Sequence, residues 1–380
     1  MQANSDLKIK RKLSGFFTKI QENSYFHAGY PFNLSYEYES LFKFLNFSII
    51  NLGDPFVKSN YGINSFEFEQ EVLSFFAQLY QIDADDYWGY VTSGGTEGNL
   101  YGISLAKELY PDGILYSSKD SHYSIAKAAR LFRIEQVVIN SQKNGEMEYV
   151  HFEKMLQQHC DRPAIINLNI GTTMKGAIDD LDVVLDILKR NNIQEYYIHC
   201  DGALSGMMLP FLADAPQVNF TKPIGSISIS GHKFVGSPLP CGVVLTRKEY
   251  LQKVEKNIEY IGSKDTTILG SRNGHTSLFF WYALQKRGES GLAREVDLCL
   301  KNSQYLFEQL KQINYPCMLN KFSNTVVLQK PPVQMIKKWQ LATEGEWSHI
   351  IVMQNVDRHK IDTFIGELEA YAINDLRRCA

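Results

Sequence analysis

The sequence predicts an α/β fold built on a mostly parallel sheet, followed by a smaller α+β domain. Three observations lead there. From Tyr87 to about residue 246, short apolar runs alternate with amphipathic stretches of helical period. After about residue 270 the pattern changes to longer helices with few strands. Small and polar residues cluster directly after the apolar runs, where a parallel sheet presents its ligand crevice.

The strands expected in the first region are Trp88–Thr92, Ile114–Tyr116, Val137–Ile139, Ala164–Ile170, Tyr196–Cys200, Ile227–Ser230 and Gly242–Thr246. The helices expected between them are Glu97–Tyr110, Ser124–Phe132, Phe152–His159 and Leu181–Lys189. Upstream, residues 1–24 read as an amphipathic helix with Leu7, Leu13, Phe16, Phe17 and Ile20 on one face. Residues 25–66 are rich in aromatics and turn formers and read as irregular, and Phe66–Tyr80 has helical spacing. Downstream, helices are expected at His275–Arg287, Leu292–Ile313, Val333–Leu341 and Lys360–Ile373, with two strands at Thr325–Leu328 and His349–Gln354. The domain division is therefore 1–50 as an N-terminal segment, 51–270 as the large domain and 271–380 as the small one.

The bulk numbers narrow the class. The 380 residues carry a net charge of −3 and 44% hydrophobic side chains, as in an ordinary globular enzyme, with no basic field for nucleic acid. No run is long and apolar enough to span a bilayer, and no signal peptide is expected. The six cysteines are scattered without a Cys-x-x-Cys pair, which fits free thiols in a reducing, cytoplasmic setting and gives no pattern for a metal site.

Four strand ends carry candidate chemistry. Thr92–Asn99 contains Gly94-Gly95-Thr96 at a strand-to-helix turn, either a phosphate cradle or a packing turn. His122 follows the second strand and is either a helix cap or a ligand neighbour. Thr172 and Thr173 follow the apolar Ala164–Ile170 run, and Asp179 or Asp180 caps the next helix. Asp201 ends a strand beside Gly202 and Ala203, which leave room for a flat ring; its alternative is a cap or salt bridge. In Ser226–Ser237, a strand with one packed face leads to Gly231-His232-Lys233. A lysine there either points to water or lies in a dry site, where its amine becomes nucleophilic. A phosphate cradle, an anion for a ring nitrogen and a lysine for an aldehyde together describe a pyridoxal 5'-phosphate site.

Several motifs carry a family resemblance: Trp88-Gly89-Tyr90-Val91-Thr92, Gly95-Thr96-Glu97-Gly98-Asn99, Asp120-Ser121-His122-Tyr123-Ser124, Asn169-Ile170-Gly171-Thr172-Thr173, Ser230-Gly231-His232-Lys233 and Gly270-Ser271-Arg272-Asn273-Gly274-His275. The chain resembles the group II pyridoxal-phosphate-dependent amino acid decarboxylases, in the branch of bacterial histidine and plant serine decarboxylases. The resemblance implies a type I aminotransferase-like fold, a carboxy-lyase activity, and a homodimer with active sites at the interface, on which residues 1–50 would pack. It implies Lys233 as the lysine that holds the pyridoxal aldehyde and Asp201 as partner of the pyridine nitrogen. Ala203 and His122 would flank the ring, with His122 also near the substrate. Gly95, Thr96, Ser230 and His232 would hold the phosphate, and Thr173 would lie near the ring substituents.

Two readings of Arg272 stand: a carboxylate ligand, or an anchor for the loop before the small domain. On substrate, Asn64–Glu69 and Ser93–Thr96 resemble the histidine enzymes. Asp54-Pro55-Phe56, Asn60-Tyr61-Gly62 and Cys200–Ala203 are closer to the serine enzymes. Histidine is expected, because Gly94 leaves space by the cofactor, and serine is the alternative. An aminotransferase or carbon–sulfur lyase of the same fold is more distant.

Overall fold

In a computed structural model of the protein, backbone is described for residues 2–379 and side-chain environment for residues 5–371, so the thiol of Cys379 lies outside the described side chains. Seven strands form the large sheet in the order Tyr87–Thr92, Gly242–Arg247, Ser226–Ser230, Tyr196–Asp201, Ala164–Asn169, Ile114–Ser118, Gln136–Ile139. Only Gly242–Arg247 runs against the others. The apolar strands are buried on both faces, as crossover helices require. Helix starts explain most boundary differences from the sequence reading. Glu148 accepts the Val150 and His151 N–H groups, which starts the next helix at Tyr149, before the expected Phe152. Asp180 caps Leu181–Arg190 by accepting from Asp182 and Val183.

The strand Ser226–Ser230 shows what holds the sheet to its first helix. Ile227 and Ile229 enter the main core, as expected from their alternation. The serine face is buried as well, under the helix Gly95–Leu109. That helix presents Gly95, Gly98 and Gly102 to the strand, so the two backbones meet with almost no side chain between them. A Cβ at Gly95 would lie 2.6 Å from Ser230 Oγ; one at Gly98 would overlap Ser228, and one at Gly102 would overlap His199. Ser228 Oγ donates to the Gly95 carbonyl at 3.2 Å, and Gly95 N–H donates to Ser230 Oγ at 3.1 Å.

Downstream, the run Gly274–Gln312 holds the two expected helices, separated by a kink at Gly288, where φ 59° and ψ 175° are not helical. Its early apolar residues, through Cys299, pack in the main core, and Leu306 and Leu310 begin the second core. The small sheet has four strands, not two, in the order Cys317–Leu319, Thr325–Gln329, Trp347–Ile351, Ala342–Glu344. The two missed strands have three residues each, too short to show a period of two. Residues 25–66, read as irregular, hold a short helix at Glu39–Asn46 and a strand Ile50–Leu52 paired with Ser271–Asn273.

The first helix, Gln2–Tyr25, forms as its spacing predicts but leaves its apolar face open: Leu13, Phe16 and Phe17 are about 60% exposed (61%, 60% and 62%). Among the described residues, no helix is long and apolar enough to cross a membrane.

Gly98→Ala tests the glycine–serine contact. Alanine in a helix interior ordinarily stabilises by about 1 kcal/mol. Here overpacking against Ser228 reverses the sign, and a net loss of about 1–3 kcal/mol is expected in urea unfolding. A gain would show that helix and strand do not meet this closely.

Candidate active site

A cavity of about 690 Å³ opens at the carboxyl ends of the parallel strands. All nine residues singled out from the sequence line it: Gly95, Thr96, His122, Thr173, Asp201, Ala203, Ser230, His232 and Lys233. The strand register explains part of this, since Asn169 pairs with Asp201 and Asp201 with Ser228.

Lys233 sits in a single wide turn of π-helix, His232–Gly236, closed by Gly236 N–H donating to the Gly231 carbonyl at 3.0 Å. Phe234 and Val235 are fully in the core and anchor the turn. Asn33 holds it from outside, donating its N–H to the Lys233 carbonyl at 3.0 Å and its side-chain amide to the Phe234 carbonyl at 3.1 Å. Burial lowers the Lys233 pKa, and Asp201 pulls it partly back. The amine is thus biased toward its nucleophilic, uncharged form. His232 is fixed through Nδ1 against the Cys241 peptide, 3.0 Å from its nitrogen and 2.7 Å from its oxygen.

Asp201 is held by a hydrogen-bond chain that sequence reasoning missed. Its Oδ2 accepts from Asn99 Nδ2 at 2.7 Å, and its Oδ1 accepts from Ala203 N–H at 3.2 Å. The Asn99 amide also donates to Ser124 Oγ at 2.9 Å. With both donations coming from nitrogen, Asn99 Oδ1 must be an acceptor, so His199 Nε2, 3.0 Å away, carries the proton. His199 Nδ1 then accepts from Ser226 Oγ at 2.8 Å. On the other branch, Ser124 Oγ donates to His122 Nδ1 at 2.8 Å, leaving His122 Nε2 as the protonated nitrogen. His122 is both things the sequence allowed: it caps the helix Tyr123–Phe132 and it lines the cavity. Burial lowers its pKa, opposed by Asp201. The missed signals were visible as Asn99 one helical turn after the glycine pair and His199 two residues before Asp201. Spacing alone gives them no role until the strand and helix are superposed.

Thr173 is exposed in the cavity, whereas Thr172 Oγ1 is used to accept the Ala177 N–H at 3.0 Å. Arg272 is absent from the lining. Its guanidinium is buried, paired with Glu69, donates to the Gly53 carbonyl at 2.9 Å and lies over the Tyr90 ring. Glu69 also accepts from Val91 N–H and from Asn51. In this chain Arg272 therefore anchors the loop before the small domain, and the carboxylate-ligand reading is set aside.

These groups fit pyridoxal phosphate. The first turn of the Gly95–Leu109 helix offers the Thr96 N–H and a positive dipole end to a phosphate. Gly94, at φ 141°, brings backbone close to His232 where a side chain would intrude. A carboxylate, a small residue and a buried amine face the same space. A parallel-sheet domain with that cofactor crevice defines a pyridoxal-phosphate enzyme of the type I fold. The chain belongs, more narrowly, to the pyridoxal-dependent decarboxylases: residues 66–328 match the pyridoxal-dependent decarboxylase conserved domain. It is 51% identical over 362 residues to serine decarboxylase 2 of Oryza sativa subsp. japonica, covering 95% of this chain and 78% of that one. It is 47% identical to a histidine decarboxylase of Solanum lycopersicum, over 94% of this chain and 87% of the relative. It is 42% identical to a histidine decarboxylase of Morganella morganii, over 95% and 96%. The L-methionine decarboxylase of Streptomyces sp. 590 shares the fold, with a TM-score of 0.87 over 95% of both chains at 24% identity. The protein is thus a pyridoxal-phosphate-dependent amino acid decarboxylase, a carboxy-lyase, and the aminotransferase and carbon–sulfur lyase readings are not carried forward.

His199 gives a pH test. Burial lowers its pKa to about 4, while the unfolded chain takes up that proton near 6.5. Stability from the neutral ring is intact above pH 6.5 and is lost as pH falls toward 4, up to about 3 kcal/mol. Denaturant unfolding of the native protein and His199→Asn at pH 7 and pH 4.5 should show the native protein losing more on acidification. Equal losses would mean that His199 is not held neutral.

Proposed function

We propose that the chain removes the α-carboxylate of a polar L-amino acid as CO2, with L-histidine as first substrate, giving histamine, and L-serine as second, giving ethanolamine. The observation that supports it is the convergence of Lys233, Asp201 and His122 on one cavity. Extent of match favours histidine, since the chain spans 94% to 96% of its bacterial histidine decarboxylase relatives. Identity favours serine, at 51% to the rice enzyme against 41% and 42% to those bacterial enzymes. The space at Gly94, which led to histidine from sequence, faces His232 and so lends histidine no support.

Pyridoxal phosphate, when bound, supplies the electron sink that makes loss of CO2 from Cα feasible. Lys233, whose amine burial biases toward the uncharged form, would hold the cofactor at its aldehyde carbon and give up that place to the substrate amine. Asp201, fixed by the Asn99 and Ala203 donors, would be the partner of the pyridine nitrogen, placed to stabilise charge that develops there. His122 and Ala203 would flank the cofactor ring, with the His122 Nε2–H left to face the substrate. Gly95, Thr96, Ser230 and His232 would bind the phosphate, and Thr173 would lie by the ring substituents. The domain division at about residues 50 and 270 belongs to the same reading, as does a cytoplasmic setting, which agrees with free thiols at Cys160, Cys200, Cys241, Cys299 and Cys317.

The reading extends to a homodimer. Leu13, Phe16 and Phe17 form an apolar face on an exposed helix, a face of the kind partners cover.

Lys233→Ala is expected to abolish turnover and the visible absorbance of bound cofactor; retention of both would overturn the scheme. Histamine and ethanolamine release, measured side by side on the native enzyme, decides the substrate, and ethanolamine alone would reject the first choice. By analytical ultracentrifugation the native protein should sediment as a dimer and the variant Phe16→Glu, Phe17→Glu as a monomer. A monomeric native protein would remove the dimer.

A further inference from the structure

His349 lies on Trp347–Ile351, a central strand of the small sheet, and lines the cavity. It is only 2% exposed. Both of its ring nitrogens face backbone carbonyl oxygens: Nδ1 is 3.1 Å from Met174 O and Nε2 is 3.0 Å from Gly29 O. A carbonyl only accepts, so each contact needs an N–H on the ring. Turning the ring over would replace both nitrogens by carbons and lose both bonds. A neutral imidazole has one N–H and can satisfy one of the two. The arrangement is complete only with the doubly protonated ring.

The two carbonyls belong to two separate stretches that wall the cavity. Gly29 opens the Gly29–Phe32 stretch, and Met174 lies in the turn that carries Thr172, Thr173 and Gly176. Gly29 is also pressed against Gln340 and Leu341, where a Cβ would not fit, and Ala28 beside it donates its N–H to the Trp339 carbonyl and accepts from Ile351 N–H.

We propose that His349 is a proton-dependent clasp and a positioning residue for substrate binding: doubly protonated, it ties Gly29 to Met174 across the small sheet and closes that side of the cavity, and loss of one proton releases one wall. The inference rests on the decarboxylase reading only for its effect on substrate; the clasp itself goes beyond that reading.

The charged groups around His349 set the range over which it acts. Glu344 is on the neighbouring strand Ala342–Glu344. Lys175 follows Met174, with its ammonium 3.0 Å from Asp120. His27 precedes Gly29 by two residues and feels Lys360. Lys233 shares the cavity, and the paired strand Thr325–Gln329 carries no ionisable side chain. Burial lowers the His349 pKa, while the two carbonyls and Glu344 raise it. The clasp therefore closes below, and opens through, a midpoint under about pH 6.5.

Two measurements on the holoenzyme test this. His349→Gln carries one acceptor and one donor group and does not titrate, so it stands for the neutral ring. The KM of the variant divided by that of the native enzyme, which cancels titration of the substrate, should be about fivefold at pH 5 and near one at pH 7.5, with kcat little changed; one hydrogen bond is worth about that factor. A ratio equal at both pH values would overturn the clasp. Hydrogen–deuterium exchange of the native protein, corrected for the chemical rate, should show residues 28–34 or 172–177 more protected at pH 5 than at pH 7.5, with the strand Ala164–Asn169 unchanged. Equal protection in both segments would overturn it even if the variant does not fold. The exchange result does not depend on turnover: a protein that exchanged as expected yet released no CO2 would overturn the decarboxylase reading and leave the clasp standing.

Discussion

The contact on which the site depends is a helix lying directly on a strand. Gly95, Gly98 and Gly102 meet Ser226, Ser228 and Ser230 and the neighbouring His199, and nothing larger fits between them. This close approach brings the helix N-terminus down to the sheet edge, where it can face a phosphate. It places Asn99 within reach of Asp201 on the next strand, and Ser230 within reach of the Gly95 N–H. A helix carried on ordinary side chains would stand several ångströms higher and would hold neither group. The serines serve the same end, because they are small and because their hydroxyls satisfy backbone groups that would otherwise be buried unpaired.

Most of the large sheet was legible in the sequence because a strand buried on both faces writes a continuous apolar run, as Ala164–Asn169 does. The residues lining the cavity were legible for a related reason: strand ends in a parallel sheet converge, so polar residues that follow apolar runs end up together. The register of Asn169, Asp201 and Ser228 realises that geometry. Three-residue strands such as Ala342–Glu344 were not legible, since three residues show no period. The interruption expected between Arg287 and Leu292 is the kink at Gly288, where a glycine in a non-helical conformation separates two helices.

Residues whose role is to hold another residue were the least visible. Asn99 reaches Asp201, and His199 reaches Asn99, only after the helix is laid on the strand, and no spacing rule links positions a hundred residues apart. Arg272 shows the converse. Its fork geometry suggested a ligand, but Glu69 and the Gly53 carbonyl occupy it, and the tie between the N-terminal strand and the start of the long helix is its use.

The direction of the donors behind Asp201 has an electrical consequence. Ser226 donates to His199, His199 to Asn99, Asn99 to Asp201 and Ser124, and Ser124 to His122. Every hydrogen points the same way, and a carboxamide sits in the middle. An amide donates a hydrogen bond without passing a proton on, so the chain is an insulator where a row of waters would be a wire. The chain carries no proton between the core and Asp201, and proton traffic at this end of the sheet is confined to the cavity side.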